Sequence, residues 1–162
     1  RVFCYRSILS NGGPMRLQIV KKSILVLSVI FTGFIAQAAP TSNPQIRVCR
    51  LTNGLFHAVN VPDDQIGFCS YGQALLDAPS LMQNAYEGQE SLAVQALNKT
   101  LTSGYPNCLS AKAQLVQAED LEGVPYQLCK FADDSFVAQK TLQAGLMSQQ
   151  NAGLKAALKM KF

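Results

Sequence analysis

Hydrophobic and polar residues alternate along two neighbouring segments in the first half of the chain. Residues 55–61 place Leu, His, Val and Val on one side of an extended strand, and residues 66–71 form a second segment of this kind. The Pro-Asp-Asp run at 62–64 between them is typical of a turn, and a short apolar run follows at 74–76. The pattern predicts a small antiparallel hairpin or a three-stranded meander.

Helix signals lie on both sides of these strands. Asn43 and Pro44 are typical of an N-cap and a first helical position, and Gly54 is typical of a helix end. Leu and Ala residues recur at helical spacing from about residue 77 to residue 100, with a break at Gly88. We therefore predict a short helix before the strands and a longer helical segment after them.

The same order of patterns returns about sixty residues later, in the second half of the chain. Cys49 and Cys69 correspond to Cys108 and Cys129, with nineteen residues between the first two and twenty between the second two. The second copy predicts a short helix, three strands and a final helix at 107–113, 114–118, 126–131, 135–138 and 139–159. A unit that occurs twice in this way is the signature of an internal repeat.

These elements predict an α+β fold of two tandem repeats, one over residues 39–100 and one over residues 101–162. Each repeat is expected to hold a short helix, a small antiparallel β-hairpin or meander and a longer helix, closed by its own disulfide bond. A unit of about sixty residues buries little core by itself, so we expect the two copies to pack together through their helices.

The beginning of the chain carries the pattern of an export signal. A basic front precedes an apolar run of about a dozen residues and an Ala-Gln-Ala sequence. We predict a signal peptide over 15–38 with cleavage between Ala38 and Ala39, because the apolar run is shorter than the roughly twenty residues of a transmembrane helix. Residues 1–14 precede this signal and are interpreted as an upstream extension of the gene start. No cysteine stands at the cleavage region, so we expect no membrane anchor after cleavage and a periplasmic or secreted protein.

Without residues 1–38 the chain is close to neutral. Five of the fourteen basic residues lie in that segment and none of the ten acidic residues does, which leaves nine basic residues against ten acidic ones. The remaining Lys and Arg residues are scattered rather than clustered, so nucleic-acid binding is not expected.

The four cysteines of the two copies allow three disulfide pairings. The repeat favours the pairing in which each copy closes on itself, Cys49 with Cys69 and Cys108 with Cys129, as expected in an oxidising compartment. Each closed loop would contribute roughly 3 kcal/mol on the chain-entropy model. A zinc site is disfavoured because the chain has no Cys-x-x-Cys motif and a single histidine, and no other cofactor is expected.

Short motifs in the first copy follow a recognisable order. An Asn-Pro pair at 43–44 is followed by Cys49, by an Asn-Gly pair at 53–54 and by Gly-Phe-Cys at 67–69. These motifs resemble those of the bacterial domain of unknown function 333 family, often labelled hemolysin, and residues 107–137 resemble a degenerate second copy. The resemblance implies an exported, disulfide-closed module. The hemolysin label implies a membrane-active secreted factor as an alternative function.

Catalysis by a Ser-His or Asp-His arrangement would have to use His57, the only histidine in the chain. Ser70, Ser80 or Asp64 would have to meet it in space, and nothing in the spacing requires such a meeting. His57 alternates with apolar residues in a predicted strand, so we interpret it as a packing residue and expect no enzyme activity.

The acidic pairs at 63–64 and 133–134 and the acidic cluster at 119–122 lack the alternating ligands of a calcium loop and fall at predicted turns. We interpret them as solvated turns. The apolar stripe of the final helix is diluted by Gln and Asn residues, which favours a helix that faces the core over one that lyses membranes.

These observations lead us to expect an exported, non-catalytic protein of the bacterial envelope. It would act as a binding or inhibitory module for an unidentified envelope or extracellular protein ligand. The alternative is the membrane-active, hemolysin-like factor implied by the resemblance.

Overall fold

The computed structural model describes residues 43–100 and 103–162. The predicted signal peptide at 15–38, its cleavage site at Ala38 and Ala39, and the upstream segment 1–14 lie outside the described residues. Within the described ranges, no helix combines the length and the apolar character needed to cross a membrane.

Each half of the described chain contains three strands. The first half forms α1 (Pro44–Leu51), β1 (Leu55–Val61), β2 (Asp64–Tyr71), β3 (Ala74–Asp77), α2 (Ala78–Met82) and α3 (Leu92–Lys99). The second half forms β4 (Gln114–Asp120), β5 (Pro125–Lys130), β6 (Phe136–Ala138), α4 (Gln139–Ala144) and α5 (Ala152–Leu158). A π-helical turn at Gln83–Glu87 continues α2, and short 3₁₀ turns lie at Leu109–Ala111 and Gln149–Asn151.

Local signals explain where the first helices begin. The Asn43 side chain accepts a hydrogen bond from the backbone N–H of Gln45 at 2.9 Å, and Pro44 occupies the first turn of α1. Asp77 caps α2 in the same way, by accepting from the N–H of Ser80 at 2.7 Å.

The long helices predicted after the strands are interrupted. Gly88 adopts a left-handed conformation with φ of 68°, so the segment predicted over 77–100 divides into α2 with its π turn and α3. Gly145, with φ of 75°, similarly separates α4 from α5. The short helix predicted at 107–113 is only a 3₁₀ turn.

The six strands form one closed antiparallel barrel, in the order β1-β2-β3-β6-β5-β4. The predicted fold of two tandem, separately closed repeats is therefore wrong. β3 pairs with β6 at Leu76 and Val137, and β1 pairs with β4, so the strands of both halves belong to a single sheet. The physical reason is that a three-stranded meander leaves two open edges, and closure against the other meander pairs part of each edge.

The hydrophobic cores are also shared between the halves. One cluster fills the barrel and consists of Val59, Phe68, Leu75, Ala118, Leu128, Phe136 and Ala138. A larger cluster lies under the helices and combines residues such as Val48, Leu81 and Leu97 with Leu142, Leu154 and Val137. Since each core draws on both halves, neither half has a core of its own to fold around.

Buried hydrogen bonds add to this connection. A carboxylate oxygen of Asp77, which is 2% exposed, accepts from the backbone N–H of Phe136 at 2.8 Å. The hydroxyl oxygen of Thr141 accepts from the backbone N–H of Leu75 at 2.9 Å. Both contacts satisfy buried backbone donors on the two strands where the halves meet.

Two disulfide bonds tie strands to the segments that precede them. Cys49 of α1 is bonded to Cys69 of β2, and Cys108 is bonded to Cys129 of β5, with a Cα–Cα distance of 5.2 Å in each pair. This is the pairing that the sequence favours. Disulfide bonds persist in oxidising surroundings, so the protein belongs to an oxidising, non-cytoplasmic compartment.

Candidate functional site

The barrel is held closed on one side by a very short seam. β1 and β2 pair at seven positions, whereas β1 and β4 pair only at Val59 with Asp120 and at Asn60 with Glu119. Residues 114–118 of β4 therefore have no neighbouring strand on the side that faces β1, within the part of the chain that the structure describes. The barrel wall is open on that side of the seam.

A cavity of about 520 Å³ lies at this opening, at the end of the barrel where β1 turns into β2. We call it the mouth cavity. Its apolar wall is formed by Val61, Ile66, Val116 and Phe136, and its polar rim by Asp63, Asp64, Gln114, Lys130 and Asp134, beside Pro62. Its volume lies in the range of small ligand sites, and it combines apolar surface with charged groups as such sites do.

The rim of the mouth cavity carries a net negative charge. Lys130 donates to Asp134 across 2.9 Å and lies 5.7 Å above the centre of the Phe136 ring, so its charge is engaged within the rim. Asp63, in the β1–β2 turn, and Asp64, the first residue of β2, are exposed and form no ion pair with any described residue. Two carboxylates therefore remain available to a cationic group.

A second cavity, of about 390 Å³, lies on the outer side of the same opening. We call it the outer cavity. It is lined by Asn60, Val61, Pro62, Gln117, Ala118, Glu119 and Pro125. Val61 and Pro62 line both cavities, so the open edge of β4 has a cavity on each face.

The structure brings His57 together with one of its three candidate partners. Nε2 of His57 lies 2.8 Å from Oγ of Ser70 on the neighbouring strand. Ser80 is buried against Asp77, to which its hydroxyl donates at 2.7 Å. Asp64 lines the mouth cavity instead.

The Ser70–His57 pair lacks a carboxylate that orients the ring. Asp120 lies with His57 along a shallow cavity of about 280 Å³. The carboxylate oxygens of Asp120 accept from the N–H groups of Glu122 and Val124, both at 2.9 Å, and from the Tyr126 hydroxyl at 3.1 Å. The bond from Val124 is the main reason that the pKa of Asp120 is lowered, with a smaller effect from the charge of His57. A triad needs such a carboxylate to be hydrogen-bonded to the histidine, and no described residue supplies one.

Asp133 of the acidic pair at 133–134 has a structural role. Asp133 accepts from the backbone N–H of Leu92 at 2.7 Å, at the start of α3, and from Ser135. Among the described residues, no cluster of three or more His, Cys, Asp or Glu side chains could hold a metal ion.

Sequence reasoning missed the mouth cavity because residues from both halves form it. The pattern around Asp63 and Asp64 indicates only a solvated turn, and nothing in the sequence places that turn beside β4. Comparisons of the chain with protein-family models, with curated proteins and with solved structures find no match.

Proposed function

We propose that this chain is an exported, non-catalytic protein of the bacterial envelope, periplasmic or secreted, that binds a basic segment of a partner protein at the mouth cavity. The observation that carries the proposal is the combination of an apolar wall with a rim of net negative charge. Binding could serve to recruit the partner or to inhibit it.

The chemistry of the mouth cavity favours a lysine or arginine side chain as the inserted group. Such side chains pack an aliphatic stem against apolar surface while the charged head remains near carboxylates. Val61 and Ile66 offer that apolar surface, and Asp63 and Asp64 stand at the rim above it. Charge complementarity of this kind raises the rate of association and disfavours acidic partners.

The Ser70–His57 pair is explained by a structural role rather than by catalysis. Ser70 and His57 are diagonal neighbours on the paired strands β2 and β1. The carboxylate of Asp120, which lines the same shallow cavity as His57, is held by its own turn. A hydroxyl–imidazole bond in this setting satisfies two half-buried polar groups, which is a sufficient role for it.

A defined probe tests the proposal directly. The probe is an acetylated and amidated octapeptide of alternating lysine and valine, compared with an octapeptide in which glutamate replaces lysine. We expect the oxidised protein to bind the lysine peptide in calorimetry, to bind the glutamate peptide at least tenfold more weakly, and to lose affinity as salt is added.

Matched variants locate the binding surface. The double substitution Asp63→Asn and Asp64→Asn removes the free rim charges with little change of shape, and we expect it to weaken binding of the lysine peptide about tenfold. Glu87→Gln removes an exposed charge that does not line the cavity and is expected to leave binding unchanged. Equal binding by the double variant and the native protein would contradict the proposal.

Liposomes provide a second arm. We expect the oxidised protein at micromolar concentration to leave dye-loaded vesicles intact. The membrane-active alternative predicts leakage. Leakage that depends on the protein would therefore contradict the binding proposal and favour the membrane-active function.

A further inference from the structure

The hydrogen-bonding direction of β4 shows which backbone groups face the opening. The N–H of Asp120 donates to the carbonyl of Val124 at 3.1 Å, on the side of β5. Because successive residues of a strand direct their N–H and C=O groups to opposite sides, residues 114, 116 and 118 also face β5. Leu115, Gln117 and Glu119 therefore face β1, and of these only Glu119 has a partner there, Asn60.

Pro62 prevents the seam from extending to cover these groups. The pairing of Asn60 with Glu119 would, if continued along both strands, place Pro62 opposite Gln117. Proline has no backbone N–H and so cannot donate to the Gln117 carbonyl. The N–H and C=O groups of Leu115 and Gln117 are left facing the opening, without a neighbouring strand among the described residues.

The open edge of β4 also lacks the usual protection against strand pairing. Exposed edges are commonly blocked by lysine, by proline or by a bulge. Residues 114–118 read Gln-Leu-Val-Gln-Ala and contain neither lysine nor proline, and Leu115 is 47% exposed. An edge of this composition is suited to pair with another extended segment.

The two cavities match the side-chain pattern of such a segment. Side chains of an extended strand point alternately to opposite faces. A strand beside β4 would therefore direct one side chain into the mouth cavity and its neighbours towards the outer cavity, where Glu119 stands. The acidic residues on both faces favour a basic segment.

We propose that the partner's basic segment binds as an added β-strand alongside β4 and pairs with the backbone of Leu115 and Gln117. This inference rests on the proposed function, since it specifies the conformation of the segment that binds at the mouth cavity. Backbone pairing would supply affinity, and the side chains in the two cavities would supply the preference for alternating basic and apolar residues.

The experiment separates backbone pairing from charge. The full oxidised chain is titrated with the lysine-valine octapeptide and with the same peptide methylated at every backbone nitrogen, which keeps the lysine charges but donates no backbone hydrogen bond. We expect methylation to weaken binding at least tenfold. Hydrogen exchange at the amides of Leu115 and Gln117 should slow when the unmodified peptide binds.

Two substitutions at one position provide the matched pair. Gln117→Pro removes the N–H that faces the opening, whereas Gln117→Ala removes the side chain and keeps the N–H. We expect about a tenfold loss of affinity for the first and a smaller loss, of about twofold to threefold, for the second, because Gln117→Ala removes only a side chain that lines the outer cavity. Equal losses for the two variants would contradict backbone pairing at this position. If the proline variant does not fold, as judged by its circular dichroism, the methylated peptide still decides the question.

The outcomes distinguish the two proposals. If methylation leaves binding unchanged while the Asp63→Asn and Asp64→Asn double variant weakens it, the basic segment binds at the mouth without adding a strand, and this inference is overturned alone. If the unmodified peptide does not bind at all, both the inference and the proposed function fail.

Discussion

Asp77 should make the stability of the fold depend on pH, and its replacement by asparagine tests this. The side chain is 2% exposed and accepts hydrogen bonds from the N–H of Ser80 at 2.7 Å, the hydroxyl of Ser80 at 2.7 Å and the N–H of Phe136 at 2.8 Å. Burial raises the pKa of Asp77 from 3.8 to about 6, although these hydrogen bonds favour the ionised form. The folded protein therefore holds the proton more tightly than the unfolded chain does.

The direction and size of the effect follow from that difference. A raised pKa means that the contribution of Asp77 to stability is fully present below pH 3.8 and is lost as the pH rises through about 6. The two pKa values differ by about 2, and each pKa unit corresponds to roughly 1.4 kcal/mol, so the loss is about 3 kcal/mol. It falls within the pH range from about 4 to 7.

Asp77→Asn keeps the shape of the side chain but removes its titration. The amide can still accept from the N–H of Ser80, but its NH₂ group faces the N–H of Phe136, which leaves a buried donor unsatisfied at a cost of about 2 kcal/mol. At about pH 4 the variant should be less stable than the native protein by that amount. At about pH 7 the difference should vanish or reverse, because ionisation of Asp77 has by then lowered the stability of the native protein by about 3 kcal/mol.

Urea unfolding followed by far-ultraviolet circular dichroism at several pH values measures both curves. Asp63→Asn, which changes an exposed carboxylate in the β1–β2 turn, serves as the control. Its curve of unfolding free energy against pH should run parallel to that of the native protein. Curves for Asp77→Asn and the native protein that also run parallel from about pH 4 to 7 would refute the argument.

Two further sets of substitutions test the disulfide bonds and the buried contact between the halves. Replacement of both cysteines of either disulfide bond by serine should lower the free energy of unfolding by about 3 kcal/mol, and reductant should abolish the difference from the native protein. Because the barrel is shared, each of these variants should still unfold in one transition, and two separate transitions would contradict the shared core. Thr141→Val removes the acceptor of the buried Leu75 N–H and should cost about 2 kcal/mol, whereas Thr141→Ser keeps the hydroxyl and should cost less; equal losses would show that the hydrogen bond contributes little.

The sequence was sufficient for features that depend on neighbouring residues. The alternation at 55–61 and 66–71, with Pro-Asp-Asp between them, corresponds to β1, β2 and their turn. Asn43 and Pro44 correspond to the start of α1. These features are set by side-chain spacing and by turn and cap chemistry within a few residues, which a single sequence displays directly.

The sequence was not sufficient for the pairing of strands across the halves. All four residues of β3 are buried, and an apolar run of this kind is typical of a strand that is covered on both faces. That pattern indicates that other elements pack on both faces of β3. It does not identify β6 as the strand that pairs with its edge. The repeat instead suggested that each meander was complete, although its edge strands were still without partners.

The short length of the β1–β4 seam can nevertheless be traced to two turns that the sequence shows. On one side of the seam β1 is followed by Pro62, which cannot continue the hydrogen-bond ladder. At the other end of the seam β4 ends at Asp120, whose carboxylate accepts from the N–H groups of Glu122 and Val124 and so holds the chain in a turn. Neither strand can lengthen the seam without losing its own turn. The gap beside Gln117 therefore follows from the local chemistry at Pro62, and a ligand that fills it need not break any existing strand pair.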